Sequence, residues 1–412
     1  MGRSSRSGKT EVRAQGAGHV VIIIQNLPLR LDRRVRNECR ALVDSGYVVS
    51  VICPKEAAAE ADRHDIDGVA VYSYRAPEGA QGLASYVREF VICWLHAARL
   101  SMRIDREHRF DVLQACNPPD TYWLLGALWK VRGRKFVFDQ HDLCPEVYEA
   151  RFGRQGLLYQ GLRWLEQRTY RTADRVISPN PAYQEIATTR GHLPQRRTTV
   201  VMSTPDPELM RRAAAHPELR GQNEYLVCYV GIMGPQDGVD ALLAAVDSYV
   251  HEVGRRDTRF ALLGFGDSLE ELRQECSRRG LDPWVLFTGR VDHDELGRWL
   301  STADLGVTPD PQNEFNHRST MNKTLEYMAH EVPVVATDLR ETRRCAGDSA
   351  VYVSGDDPMQ TAREIAGLLD DPQRRERMGR SGRARIENEL AWSIQARNYV
   401  GVFTSLRRQT RR

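Results

Sequence analysis

Short apolar runs alternate with amphipathic stretches from His19 almost to the end of the chain. Runs rich in Val, Ile and Leu, each followed by a segment with helical apolar spacing, form the pattern of a parallel sheet with crossover helices. Strands are expected at His19–Gln25, Tyr47–Cys53, Val69–Tyr74, Asp111–Cys116, Lys135–Gln140, Arg175–Ser178 and Thr199–Met202. The pattern restarts at Tyr225–Gly231, then Arg259–Leu263, Val285–Thr288, Leu305–Val307, Val332–Ala336 and Ala350–Val353. The first helix is well marked. Asp32 can cap it, Val35, Cys39 and Leu42 line one face, and Gly46 stops it.

The halves share an architecture but no short repeat, and 412 residues are long for one core. The expected fold is therefore α/β, two Rossmann-like, doubly wound parallel-sheet domains facing a cleft. The linker falls at Ser203–Pro207 or at the polar Pro217–Asn223. Residues 1–18 are basic, small and polar with no apolar core, which predicts a disordered tail rather than a signal peptide.

Composition narrows the class only a little. Hydrophobic residues at 41% and charged residues at 27% are ordinary for a soluble globular protein, and a net charge of +3 gives no argument for nucleic acid. Eight cysteines without a CxxC pair suggest reduced, buried thiols in a cytoplasmic protein. No run is long and apolar enough to span a membrane.

The segment Ser319–Asp338 carries the most chemistry. It reads as a short helix with Leu325, Met328 and Ala329 inward, running into a buried strand. Lys323 and Glu326 are three apart and share a face. A lysine by a helix N-terminus suits a phosphate, and a carboxylate one turn on suits a hydroxyl pair. Phosphate beside diol describes a nucleotide; the plainer alternative is an exposed ion pair. Only five lysines occur against an arginine-rich background, and Lys323 is the only one after Lys135. Ammonium and guanidinium are not interchangeable at a phosphate, so that exception hints at chemistry.

Two glycine turns, Tyr229–Gly238 and Leu263–Asp267, follow the first two strands of the second half. Glycine lets backbone approach a ligand closely, although turns need glycine for their own geometry too. Asp65-Ile-Asp67, in a loop, and Asp292-His-Asp294, opening a helix, have the DxD form of a metal site; the second is ordinary capping material. Neither is read as a metal site.

Together these pieces resemble the retaining family-4 glycosyltransferases of the GT-B fold. The second half supplies Tyr229–Gly231, Leu263–Asp267, Val285–Val291, Ala303-Asp304, Thr308-Pro309, Asn322–Ala329 and Pro333–Val335 in the family's order. In the first half, Asp32–Glu38, Gly46–Ile52, Asp139–Glu146 and Ala173–Ser178 fit, and the resemblance runs over about residues 19–400. It implies a 19–205 acceptor-side domain, a 206–385 donor domain and a closing helix at 386–412 that folds back over the first. Gly231, Gly264, Gly266, Asp267, Arg290, Val291, Asn322, Lys323, Thr324 and Glu326 would bind the nucleotide sugar. His141 would stand by the transferred sugar as the catalytic residue, with Asp32, Arg34 and Asp142 on the acceptor side.

The implied reaction is metal-independent hexosyl transfer with retention and without a cofactor, in bacterial polysaccharide or glycolipid assembly. The implied partners are a nucleotide sugar and a glycan or lipid-linked acceptor. Two departures stand out. Arg318 occupies the position of the family's first glutamate, and Met233 and Asp237 stand in the stretch that usually supplies Arg and Lys to the diphosphate. Lys323, with Arg290 or Arg318, would then supply the positive charge.

Two other functions fit the same architecture: a nucleotide-sugar 2-epimerase, and a degenerate homologue that binds a nucleotide sugar without turnover. An NAD dehydrogenase is disfavoured, because Val21–Pro28 lacks the GxGxxG turn. Tyr86–Arg106 is long, largely apolar and carries Arg88, Arg99, Arg103 and Arg106. With Arg30, Arg33, Arg34, Arg36 and Arg40 it suggests peripheral contact with an anionic membrane, although such a helix is as readily core.

Overall fold

The structure, a computed structural model, describes residues 17–410 except 58, 78–82 and 154. Nearly all of the tail expected at 1–18 lies outside the described residues. The chain packs as two units. One takes in everything up to Asp139, Thr172–Arg175 and the chain from Tyr399; the other is Gln140–Arg171 with Val176–Asn398.

The first eight strands are β1 (His19–Ile23), β2 (Val48–Pro54), β3 (Arg63–Ile66), β4 (Val69–Tyr74), β5 (Val112–Cys116), β6 (Lys135–Asp139), β7 (Arg175–Ser178) and β8 (Thr198–Val200). Their order is β3-β4-β2-β1-β5-β6-β7-β8. Every residue of β1 and β5 is buried, as central strands covered on both faces require. The helix Arg33–Asp44 begins where Asp32 accepts the Val35 amide at 3.0 Å. At its far end Gly46 takes φ 81°.

One strand was not foreseen. β3 pairs antiparallel with β4 through the Asp67-Gly68 turn, with φ 54° and 80°. Asp-Gly with both residues left-handed is the two-residue hairpin turn that matches strand twist. Asp65 thus lies in a hairpin rather than an open loop, and its carboxylate accepts the Gly68 amide at 2.9 Å. Asp292 caps the helix His293–Thr302 in a reciprocal capping box with Glu295.

The second sheet holds β9 (Tyr225–Ile232), β10 (Thr258–Phe265), β11 (Val285–Gly289), β12 (Leu305–Thr308), β13 (Val334–Thr337) and β14 (Ala350–Val353), in the order β11-β10-β9-β12-β13-β14. All its pairings are parallel. Alternate residues feed two cores. Val227, Tyr229, Leu262, Val307 and Val335 join the cluster containing Leu243, Ile365 and Leu368. Leu226, Cys228, Ala261, Leu263, Val334 and Ala336 join the one containing Leu300, Leu325 and Met328. Period-two alternation with both faces apolar is what a doubly wound sheet demands.

Tyr399, in the helix Trp392–Thr410, is fully buried and donates to Gln114 at 2.7 Å. All eight cysteines are free thiols, and only Cys144 is not buried. Among the described residues, no helix is long and apolar enough to cross a membrane.

Candidate functional site

Six parallel strands place their carboxyl ends along one edge, where sheets of this kind bind ligands. There Gly231 of β9 stands in register with Gly264 of β10. A Cβ on Gly264 would lie 1.8 Å from the Gly231 carbonyl oxygen, and one on Gly266 2.5 Å from that of Met233. One on Gly238, just before the helix Val239–Asp247, would lie 2.1 Å from the Pro309 carbonyl oxygen. These glycines are required by backbone meeting backbone, before any ligand is considered. Gly231 differs. At φ 152°, its absent Cβ would meet the Tyr229 hydroxyl at 3.1 Å and Cε of Lys323 at 3.2 Å.

Lys323 comes to that spot on the helix Asn322–Ala329, whose N-terminus has no side-chain cap. Every residue from Lys323 to Ala329 is buried, not just the expected apolar stripe. The Lys323 ammonium pairs with Asp310 at 2.7 Å and lies 5.1 Å from the centre of the Tyr229 ring. Asp310 did not stand out in the sequence. Its one signal is an acidic residue between Pro309 and Pro311, just beyond a buried strand.

Asp237 also faces this ammonium. Burial raises its carboxyl above the ordinary value, Lys323 pulls it down, and Asp310 pushes it up again. The side chain is fixed by the Gly234 amide, which donates to it at 2.9 Å. Three oxygens nearby in the chain, Asp310 Oδ2, Thr308 Oγ1 and Thr324 Oγ1, are buried without a hydrogen-bond partner. Each such atom costs about 1–3 kcal/mol if left unpaired.

The remaining expected donor residues lie on several elements of this unit. Glu326 is buried one turn beyond Lys323, and its carbonyl accepts from His330 Nδ1 at 2.9 Å. Asn322 is exposed at the helix start, and Asp267 is exposed just past the Gly266 turn. The exposed Arg290 guanidinium lies 5.2 Å from the centre of the Phe265 ring, and Val291 packs partly against the core.

Arg318, the residue in place of the family's glutamate, donates to Glu314 at 2.8 Å. Glu314 also receives Arg340, and the Arg318 bond leads the causes that hold its carboxyl below the ordinary range. The approach to the Lys323 helix is tied down by Asn180. That fully buried side chain donates to the Arg318 carbonyl at 2.7 Å and to Thr320 Oγ1 at 3.0 Å. Tyr183 adds a hydroxyl contact to Ser319 at 3.2 Å.

His141 and Asp142 are half-buried in the loop before the helix Cys144–Phe152. Burial raises the Asp142 carboxyl, with His141 acting in the opposite sense. In the other unit Asp32 serves as the helix cap. Arg34 is buried, pairing with Asp139 at 2.8 Å and Glu38 at 3.0 Å. Burial opposes its charge, yet the two carboxylates hold the guanidinium well above its ordinary range. Asp139 also accepts Gln114 at 3.2 Å, and burial raises the adjacent Cys116 thiol well above its usual value. Asp139 is therefore held in a buried ion pair with Arg34.

Comparison with known proteins gives two family matches: a glycosyl transferase 4-like domain over residues 31–203 and glycosyl transferases group 1 over residues 224–371. A D-inositol 3-phosphate glycosyltransferase of Thermobispora bispora is 27% identical over 314 residues, covering 72% of this chain and 71% of its own. Among solved structures, the sucrose-phosphate synthase of Thermosynechococcus elongatus superposes with TM-score 0.75 at 18% identity, covering 94% of this chain and 99% of its own. Anabaena Alr3699/HepE, solved in complex with UDP-glucose, gives TM-score 0.68 at 17% identity over 94% of this chain and 100% of its own. Both structures share the GT-B fold.

Proposed function

Because this chain belongs to the glycosyltransferases whose 4-like and group 1 domains together span most of its length, we propose that it moves a hexosyl group from a nucleotide-diphosphate sugar to an acceptor hydroxyl, with retention of configuration. The observation that carries this reading is the buried Lys323 ammonium, paired with Asp310 and set against Gly231 at the carboxyl edge of the second sheet. In this reading residues 206–385 hold the donor and residues 19–205 serve the acceptor.

A diphosphate placed against the uncapped start of the Asn322–Ala329 helix meets amide dipoles and one ammonium. Lys323 is shared with Asp310, so the entering phosphate competes with a carboxylate already in place. Glu326 receives the ribose hydroxyls one turn on. Charge developing on the leaving phosphate is stabilised by fixed amides and Lys323, an electrostatic contribution that needs little rearrangement. The leaving phosphate takes the acceptor proton on the same face, with His141 orienting the sugar. No divalent metal is required in this scheme.

The acceptor is a glycan or lipid-linked intermediate met at a membrane surface. Val87, Val91 and Leu95 of the helix Leu83–Glu107 are each more than half exposed, with Arg88, Arg99 and Arg106 exposed on the same helix. A second observation favours a non-catalytic reading: with Arg318 in place of a glutamate and Lys323 held by Asp310, a nucleotide sugar could bind without being turned over.

Transfer assays with labelled UDP-, GDP- and ADP-sugars decide between the two. Product retaining the donor's anomeric configuration, formed equally in EDTA, supports the transferase. Binding without turnover across acceptors supports the alternative. A dependence on magnesium or manganese refutes the metal-independent scheme.

A further inference from the structure

The helix that carries Lys323 ends at His330, and His330 opens on the other side into a cavity that the donor reading does not use. The cavity measures about 300 Å³ and is lined by Leu209, Met210 and Leu296 with Arg211, Arg298 and three histidines, 216, 293 and 330. That volume is at the lower end for a small-molecule site. His330 is 2% exposed. Its Nδ1 bonds to the Glu326 carbonyl at 2.9 Å, which makes Nδ1 the protonated nitrogen and leaves Nε2 an acceptor. Burial, first among the causes, keeps the ring neutral by lowering its pKa.

An acceptor nitrogen at the base suits a hydroxyl. The rim has the opposite character. Arg211 and Arg298 are exposed there, and His216 and His293 add two more hydrogen-bonding groups. Acidic groups temper this rim: Asp294 lines the cavity, and Glu218 takes Arg298 at 3.5 Å and His216 at 3.2 Å. A ligand fitting both ends carries hydroxyls at one end and an anion at the other, on a body small enough for the space.

We propose that this cavity is a second binding site, for a small phosphorylated sugar or polyol. One of its hydroxyls donates to His330 Nε2, and its phosphate meets Arg211 and Arg298. The proposal goes beyond the donor-site reading and does not depend on it. His330 joins the two places by one hydrogen bond, to the carbonyl of Glu326.

Isothermal titration of the full chain with glucose 6-phosphate, glucose and inorganic phosphate tests it. Glucose 6-phosphate should bind in the millimolar range or tighter, with glucose and inorganic phosphate each about tenfold weaker or more. Arg298→Gln, at an exposed position that leaves the fold intact, should weaken glucose 6-phosphate about fivefold, and His330→Leu by a similar factor. No binding at about 10 mM, inorganic phosphate binding as tightly as the sugar phosphate, or Arg298→Gln leaving the affinity unchanged would each overturn the proposal.

Discussion

Lys323 and Asp310 form an ion pair of 2.7 Å whose members are 9% and 2% exposed. An isolated charge at such a site is costly, and the pair stands because each neutralises the other. Lys323 stands against Gly231 at the carboxyl edge of the sheet, and Asp310 follows the carboxyl end of β12. Their pairing fixes the ammonium at that edge, so an anion entering there would compete with Asp310.

Breaking this pair from one side leaves a buried charge alone. Lys323→Met should cost about 3–5 kcal/mol, while Lys323→Met with Asp310→Asn should recover much of the loss. Urea unfolding of the wild type, both single variants and the double variant measures the coupling. Additive losses would show that the pair contributes no interaction of its own.

Asp237 gives a pH signature. Burial raises its folded-state pKa above the ordinary 3.8. The folded protein therefore holds this proton more tightly than the unfolded chain, so stability falls as pH rises from about 4 through the raised value. Asp237→Asn removes that loss. Its denaturation midpoint relative to wild type should climb with pH over this window and then level off. A constant difference, or one that shrinks, contradicts the assignment.

Much of this was readable beforehand, for physical reasons. Strands such as Val20–Ile23 and Val334–Ala336 are unbroken apolar runs because both faces of the sheets are covered. The Lys323 helix was legible because an unusual lysine stood beside an apolar stripe. The β3–β4 hairpin was not, since Arg63–Ile66 has no apolar run and its only signal was Asp67-Gly68. Asp310 escaped because its importance comes from a partner thirteen residues on, brought near by a strand-to-helix connection. Arg34 read as a surface arginine among Arg33, Arg36 and Arg40; only tertiary packing surrounds it with Asp139 and Glu38.

The glycines should separate sharply by environment. Gly264→Ala sets a methyl 1.8 Å from the Gly231 oxygen, and neither atom belongs to a side chain that could turn away. It should destabilise the protein and weaken nucleotide binding more than tenfold. Gly367→Ala, in the interior of the helix Pro358–Leu369 with nothing within 4 Å, should stabilise by up to about 1 kcal/mol. Thermal and chemical denaturation of the two variants checks both signs.

The exposed stripe of Val87, Val91 and Leu95 should matter only where a membrane is present. In liposome flotation at low salt, the protein should be recovered better with phosphatidylglycerol-rich vesicles than with neutral ones. Val91→Asp with Leu95→Asp should abolish the difference without lowering the unfolding temperature. Equal recovery with both vesicle types would favour a soluble acceptor. Arg103 should contribute little, because it is already paired with Glu107 at 2.7 Å.

The central claim is that the helix carrying Lys323 and Glu326 holds the donor nucleotide, and equilibrium titration tests it most directly. Nucleoside diphosphates and their sugars should be titrated into the wild type and Glu326→Ala, with folding of both verified. At least one should bind the wild type, and Glu326→Ala should weaken it about tenfold or more, the loss expected for a charged hydrogen bond. An unchanged dissociation constant in the variant would contradict the account.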